Sequence, residues 1–122
     1  MSYFQITRNF NVSATTTKLY EAVGADCRIR AIRLVTDGQT ADNSANYTFE
    51  ISVGGTTRAS RVNNVAGGAY VDGVSEALTL QNQASTALSA GDVIRIDATK
   101  ASSAANLKGS INIICELSRD FS

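Results

Sequence analysis

The 122-residue chain has no proline, no histidine, no tryptophan and only two cysteines. Without histidine the commonest general acid–base group is missing, and a serine triad of the ordinary type is excluded. Two cysteines with no histidine cannot complete a zinc site of the familiar kind. Charge is scarce and balanced. Eleven basic residues offset eleven acidic ones, so the basic excess expected of a general nucleic-acid binder is absent. Charged residues make up 18% of the chain, below the roughly 25% of an average soluble domain. The surface must therefore be covered by Ser, Thr, Asn, Gln, Ala and Gly, which suits a subunit that lies against other protein, because few ions need to be desolvated. No apolar run approaches the roughly 18 residues of a membrane span. The opening MSYFQITRNFNV alternates instead of forming the apolar centre of a signal peptide. The chain is expected to stay where it is made or to be carried within an assembly, away from membranes.

What is present is period-two patterning in a chain of one-domain size, spanning 1–122. Phe4, Ile6, Phe10 and Val12 share one face. Leu19 and Val23 oppose Tyr20 and Ala22. In CRIRAIRLVT, Cys27, Ile29 and Ala31 are in phase, and the phase then slips so that Ile32 and Leu34 are the apolar residues. A slip of one residue in mid-strand predicts a β-bulge. NYTFEISV places Tyr47, Phe49, Ile51 and Val53 inward and Thr48, Glu50 and Ser52 outward. Gly54-Gly55 predicts a tight hairpin, with TTRASRV as the return strand. Residues 63–77 read as a long surface loop with a short strand near Ala69–Val71, and LTLQ at 78–81 as another short strand. In LSAGDVIRIDAT, Gly91 permits a sharp turn, Asp92 caps it through its side chain, and Ile94, Ile96 and Ala98 enter the core. TKASSAANLKG reads as a loop. In the closing segment SINIICELS, Ile111, Ile113, Cys115 and Leu117 share a face while Ile114 points the other way. About eight short strands with regularly spaced turns predict an all-β fold: one antiparallel β-sandwich, jelly-roll-like. Residues 1–12 serve either as the first strand or as an N-terminal arm that adds to a neighbour's sheet.

Chemistry-bearing clusters are thin. Asp72 with Glu76, and Asp92 with Asp97, read as solvated surface carboxylates and not as a catalytic pair. Asp37, Asp42 and Asn43 lack the alternating ligands and terminal Glu of an EF-hand loop and read as turn residues. No phosphate loop or dinucleotide motif occurs. An enzyme, a cofactor and a metal are therefore not expected. Cys27 and Cys115 fall at inward positions and read as buried thiols; a disulfide requires that their strands be neighbours. Arg58 and Arg61, with Arg28, Arg30 and Arg33, read either as charge that protects an edge strand or as a basic patch for an acidic partner surface. Tyr3, Phe4, Arg58, Arg61 and Ile114 are the candidate partner-binding residues. Tyr3, Tyr20 and Tyr70 sit at polar or loop positions, a weak signature for a sugar site.

The order of TKLYEAVGADCRIRAIRLVTDG, NYTFEISVGGTT, LSAGDVIRIDAT and a final alternating strand resembles the small all-β structural proteins of tailed bacteriophage particles. The matching residues are Gly54, Gly55 and Thr56, then Leu88, Ala90, Gly91, Asp92 and Ile94, within a resemblance that covers most of residues 16–118. Departures are the turn Gly24-Ala25-Asp26, where relatives usually carry proline, and the long segment 63–77. The resemblance implies a non-enzymatic virion protein of the capsid decoration or cement type. Such a protein is made in the host cytoplasm and carried on the outer capsid surface. It implies binding to the major capsid protein or another virion protein, and a homo-oligomer, with a trimer favoured. The alternatives are a neck, tail or fibre-attachment component, and a carbohydrate- or receptor-binding β-sandwich module.

Overall fold

The computed structural model describes residues 2–37, 47–62, 73–81, 87–100 and 106–117. Among them are nine strands: β1 (Tyr3–Val12), β2 (Thr16–Ala22), β3 (Cys27–Thr36), β4 (Tyr47–Val53), β5 (Thr56–Val62), β6 (Ser75–Ala77), β7 (Thr79–Leu80), β8 (Val93–Lys100) and β9 (Leu107–Leu117). They form two antiparallel sheets, sheet A in the order β1-β9-β3-β6 and sheet B in the order β2-β8-β4-β5-β7. The pairings nest: β1 with β9, β2 with β8, β3 with β6 and β4 with β5. One long hairpin folded over on itself in this way is the jelly roll. Its tip is the β4–β5 turn, where Gly54 and Gly55 both take positive φ, 58° and 81°, as a two-residue hairpin of this twist requires.

Alternation fills the space between the sheets. Phe10, Ile29, Ile32, Leu34, Ile111 and Ile113 come from sheet A, and Tyr47, Phe49, Ile51, Ile94, Ile96 and Ala98 from sheet B, all buried. The rings of Phe10 and Phe49 meet edge to face across the gap with centroids 4.9 Å apart, the geometry that the aromatic quadrupoles favour. Two bulges re-aim arginines. In β3 the register shifts between Ile29 and Ala31 and leaves Arg30 as the extra residue. The predicted bulge is there, one residue earlier than the apolar pattern placed it. Ala31 is therefore turned outward, opposite Ile114, and not inward in phase with Ile29. In β5 the shift beside Ile51 and Ser52 leaves Arg58 as the extra residue.

Residues Tyr3–Val12 are the first strand of their own sandwich, paired with β9 along all ten positions. The segment 63–77, read as a loop, ends in β6, which pairs with Arg33–Val35 of β3; the strand expected near Ala69–Val71 and residues 118–122 lie outside the described residues. Strand β9 begins at Leu107, inside the segment read as a loop. Between β6 and β7 the chain crosses from one sheet to the other at Leu78. This residue is 4% exposed and donates its N–H to Ile32 O at 2.9 Å, so it plugs the sandwich on that side.

The Leu-Ser-Ala-Gly-Asp stretch clasps the β2–β3 turn. Cys27 and Leu88 exchange both backbone hydrogen bonds (2.9 and 2.7 Å), Gly91 N donates to Val23 O (2.8 Å), and Val23 N donates to Asp92 O (2.9 Å). Asp92 Oδ2 accepts from Ser89 N at 2.9 Å, the expected cap, and Asp26 Oδ1 accepts from Ala90 N at 2.8 Å. Gly91 stands at φ 93°, a conformation that β-carbons oppose.

Cys27 and Cys115 are both fully buried free thiols. Their strands are neighbours, but the register sets Cys27 opposite Leu117 and Cys115 opposite Ile29, a diagonal relation. Burial pushes the Cys115 thiol up to about 12, with the neighbouring Cys27 adding to it. Burial likewise raises Cys27 above its ordinary value of 9.0, against the hydrogen bond with Cys115, which lowers it. Above that ordinary value the unfolded chain sheds thiol protons that the folded chain retains. The associated stability is complete at neutral pH and is lost as pH rises toward the folded-state values, by about 1.4 kcal/mol per pH unit for each such thiol. Urea midpoints measured from neutral pH to about pH 11 should fall, and the fall should be shallower in a Cys27→Ala/Cys115→Ala variant.

Candidate interaction surface

The outward positions of sheet A form a face in register. Across it run the rows Tyr3–Glu116–Arg28, Gln5–Ile114–Ala31, Thr7–Asn112–Arg33–Ala77 and Asn9–Ser110–Val35–Ser75. The β1 side of this face carries no charge: the outward residues of β1 are Tyr3, Gln5, Thr7, Asn9 and Asn11. Three of these polar groups make a closed network. Gln5 Nε2 donates to Asn112 Oδ1 (2.9 Å) and to Thr7 Oγ1 (3.2 Å), and Thr7 Oγ1 donates to Asn112 Oδ1 (2.8 Å). The amides keep further donor and acceptor capacity for a partner. Beyond Asn9 and Ser110 the face runs into an open cleft of about 650 Å³ whose wall includes Asn11, Asp37 and Lys108.

The β3 side carries the charge, and two of its arginines are held within the chain. Arg33 Nε donates to Ser75 Oγ at 2.5 Å. Arg30, aimed outward by the bulge, holds Glu116 through Nε (2.6 Å) and Nη2 (2.5 Å). Glu116 is 1% exposed although it stands on an outer face, because Tyr3 and Arg28 flank it in register and Arg30 closes over it.

Of the five candidate partner residues, the structure brings two together. Tyr3, 51% exposed, and Ile114, half-buried, lie in adjacent rows of this face. Phe4 is on the opposite side of β1, packed against the core. Arg58 and Arg61 belong to the other sheet. Arg58 is 8% exposed at its bulge, and Arg61 points inward opposite Phe49 with its side chain 9% exposed. The five-arginine patch is therefore not assembled: Arg28, Arg30 and Arg33 lie on sheet A, and Arg58 and Arg61 on sheet B. Tyr20 is 55% exposed on the outside of sheet B, opposite Arg95, remote from Tyr3; Tyr70, Asp42, Asn43 and Asp72 lie outside the described residues. Among the described residues no group of three potential metal ligands converges.

Sequence reading missed the inward-facing charges. Arg8 shares the phase of Ile6 and Phe10, and its Nη1 reaches Glu21 Oε2 of β2 and Tyr20 O, each at 2.7 Å. Arg61 Nη2 reaches Glu76 Oε2 of β6 at 3.3 Å. Each pair links sheet A to sheet B, one on each open side of the sandwich. An arginine in phase with apolar neighbours was the available signal. In double-mutant cycles the Arg8–Glu21 coupling should be about 0.5 kcal/mol, since both side chains are about a third exposed. The more buried Arg61–Glu76 pair should couple more strongly, measured by urea unfolding.

No protein-family model matches the chain, and neither the curated proteins nor the solved structures give a match.

Proposed function

We propose that this chain is a non-enzymatic virion structural protein, a decoration or cement subunit that seats on the outer capsid shell and stabilises it. The observation that supports the reading is the uncharged β1 side of the sheet A face. Five outward residues of β1 without a charge, joined to Asn112, Ser110 and Ile114 of β9, offer a hydrogen-bonding surface. Burying it against protein costs less than burying ions. Tyr3 supplies the aromatic contact typical of protein interfaces. The order of the Gly-Gly-Thr and Leu-Ser-Ala-Gly-Asp stretches points to the same class of protein. A subunit that binds the assembled shell and not its unfolded parts stabilises the shell by mass action, and a multimeric subunit is retained through effective concentration.

The test is copy number and shell stability. Particles carrying the protein should hold many copies on the shell and should release their genome at higher temperature than particles lacking it. Ile114→Glu, which places a charge at the centre of the face, should abolish retention on the shell while leaving the unfolding midpoint nearly unchanged. A few copies confined to the tail would replace this reading with a neck or tail component. Binding to glycans, lost on Tyr20→Ala, would replace it with a receptor-binding module.

A further inference from the structure

A sandwich of two open sheets has four edges. Two are blunted by shortness: β6 has three residues and β7 has two. A third, β2, has its Tyr20 carbonyl capped by Arg8. The fourth, β1, is ten residues long and, among the described residues, no strand lies against its outer side. Proteins ordinarily manage such an edge with lysine, proline, a bulge or an inward-pointing charge. Strand β1 has no proline, no lysine and no register shift against β9, and its one inward-pointing charge, Arg8, is neutralised by Glu21 in its own chain.

From this edge we infer that two copies of the chain associate by antiparallel pairing of β1 with β1 about a two-fold axis at Thr7, which fuses the two A sheets into one. Of the registers that keep faces matched, those centred on Thr7 and on Arg8 pair the greatest length of β1, nine of its ten residues, and the side chains choose between these two. A pairing centred between residues would set inward side chains against outward ones and is excluded by the pleat. Centring on Arg8 would oppose arginine to arginine. Centring on Thr7 sets Thr7 against Thr7, Gln5 against Asn9, Ile6 against Arg8 and Phe4 against Phe10. Threonine meets threonine and phenylalanine meets phenylalanine, combinations that stabilise a ladder, and no like charges are opposed. A self-complementary patch is what a two-fold contact demands. The inference stands apart from the proposed function, because it concerns the chain in solution with no shell present.

The experiment is the mass of the purified chain by sedimentation and light scattering at micromolar concentration. The wild type should show twice the chain mass. Thr7→Lys brings like charges together on the axis and should halve it. Gln5→Lys/Asn9→Lys should also halve it, whereas Gln5→Lys/Asn9→Glu places opposite charges across the axis twice and should keep the doubled mass. All these positions face outward, and circular dichroism checks that each variant is folded. If Thr7→Lys fails to fold, the comparison of the two double variants decides. A wild type that runs as a monomer or a trimer, or two double variants of equal mass, overturns the inference.

Discussion

Gly109→Ala should lower the unfolding free energy by about 3 kcal/mol, at the upper end of what overpacking in a core costs. For a domain of this size that is a fall of about 10 °C in Tm. Gly109 lies on β9 between Phe10 of β1 and Thr36 of β3. A β-carbon there would stand 2.0 Å from Val35 O and 2.9 Å from both Thr36 Cα and Phe10 Cζ. The Phe10 ring could turn aside, but the Val35 carbonyl and the Thr36 backbone belong to the central ladder of sheet A. Relief requires β3 and β9 to separate, which loosens the cross-sheet contact between Phe10 and Phe49 as well. Shortening Phe10 in the same chain should therefore fail to rescue the substitution. Gly24→Ala is the control. Nothing lies within 4 Å of its β-carbon position, and its cost should stay within about 0.5 kcal/mol. Thermal and urea unfolding of the three variants check the set.

Arg30→Met should cost about 2 kcal/mol, because it strands the Glu116 carboxylate in a site with 1% exposure. Removing one member of a buried pair leaves an uncompensated charge, commonly at 3–5 kcal/mol. The lower figure applies here because Arg28 stands directly opposite Glu116 and the Arg30 side chain is 38% exposed, so water reaches one partner. The double variant Arg30→Met/Glu116→Met should recover most of the loss, since the pair as a whole contributes little net stability. If the single and double variants unfold at the same urea concentration, the loss comes from the arginine's packing and not from the stranded charge.

These two sites mark what was legible in the chain. The strands with clean alternation, Tyr47–Val53 and Val93–Lys100, were readable because each puts one face in the core and one outside. The Gly54-Gly55 turn and the Asp92 cap were readable because their chemistry is local. The bulge in β3 was readable as a phase slip, but its position was not. Arg30 and Ala31 are both tolerable outward residues, and only pairing with Cys115 and Ile114 decides which is extra. Glycine at 109 read as part of a loop, since nothing in the local pattern reports a carbonyl approaching from a strand more than seventy residues earlier. The Leu-Ser-Ala-Gly-Asp stretch that carried the resemblance proves to hold two turns together through backbone hydrogen bonds. Its residues speak first to the fold, and a fold hosts many functions.

The candidate interaction surface was half legible. Tyr3 and Ile114 could be placed on outward faces by period alone, but their meeting on one face depends on β1 and β9, the first and last strands, lying side by side. Arg58 and Arg61 looked like exposed charge because an arginine in a polar segment is usually solvated. A second bulge and the return of β6 along the other sheet bury one and pair the other with Glu76. By itself the sequence determined that the chain is all-β, where most strands lie, which side of most strands faces inward, and that its surface is poor in ions, because these follow from a period of two and from composition. Only the tertiary structure decided which strands are neighbours, which edge is left open and which charges are already spoken for. Those outcomes rest on contacts between segments far apart in the chain, to which local pattern is blind.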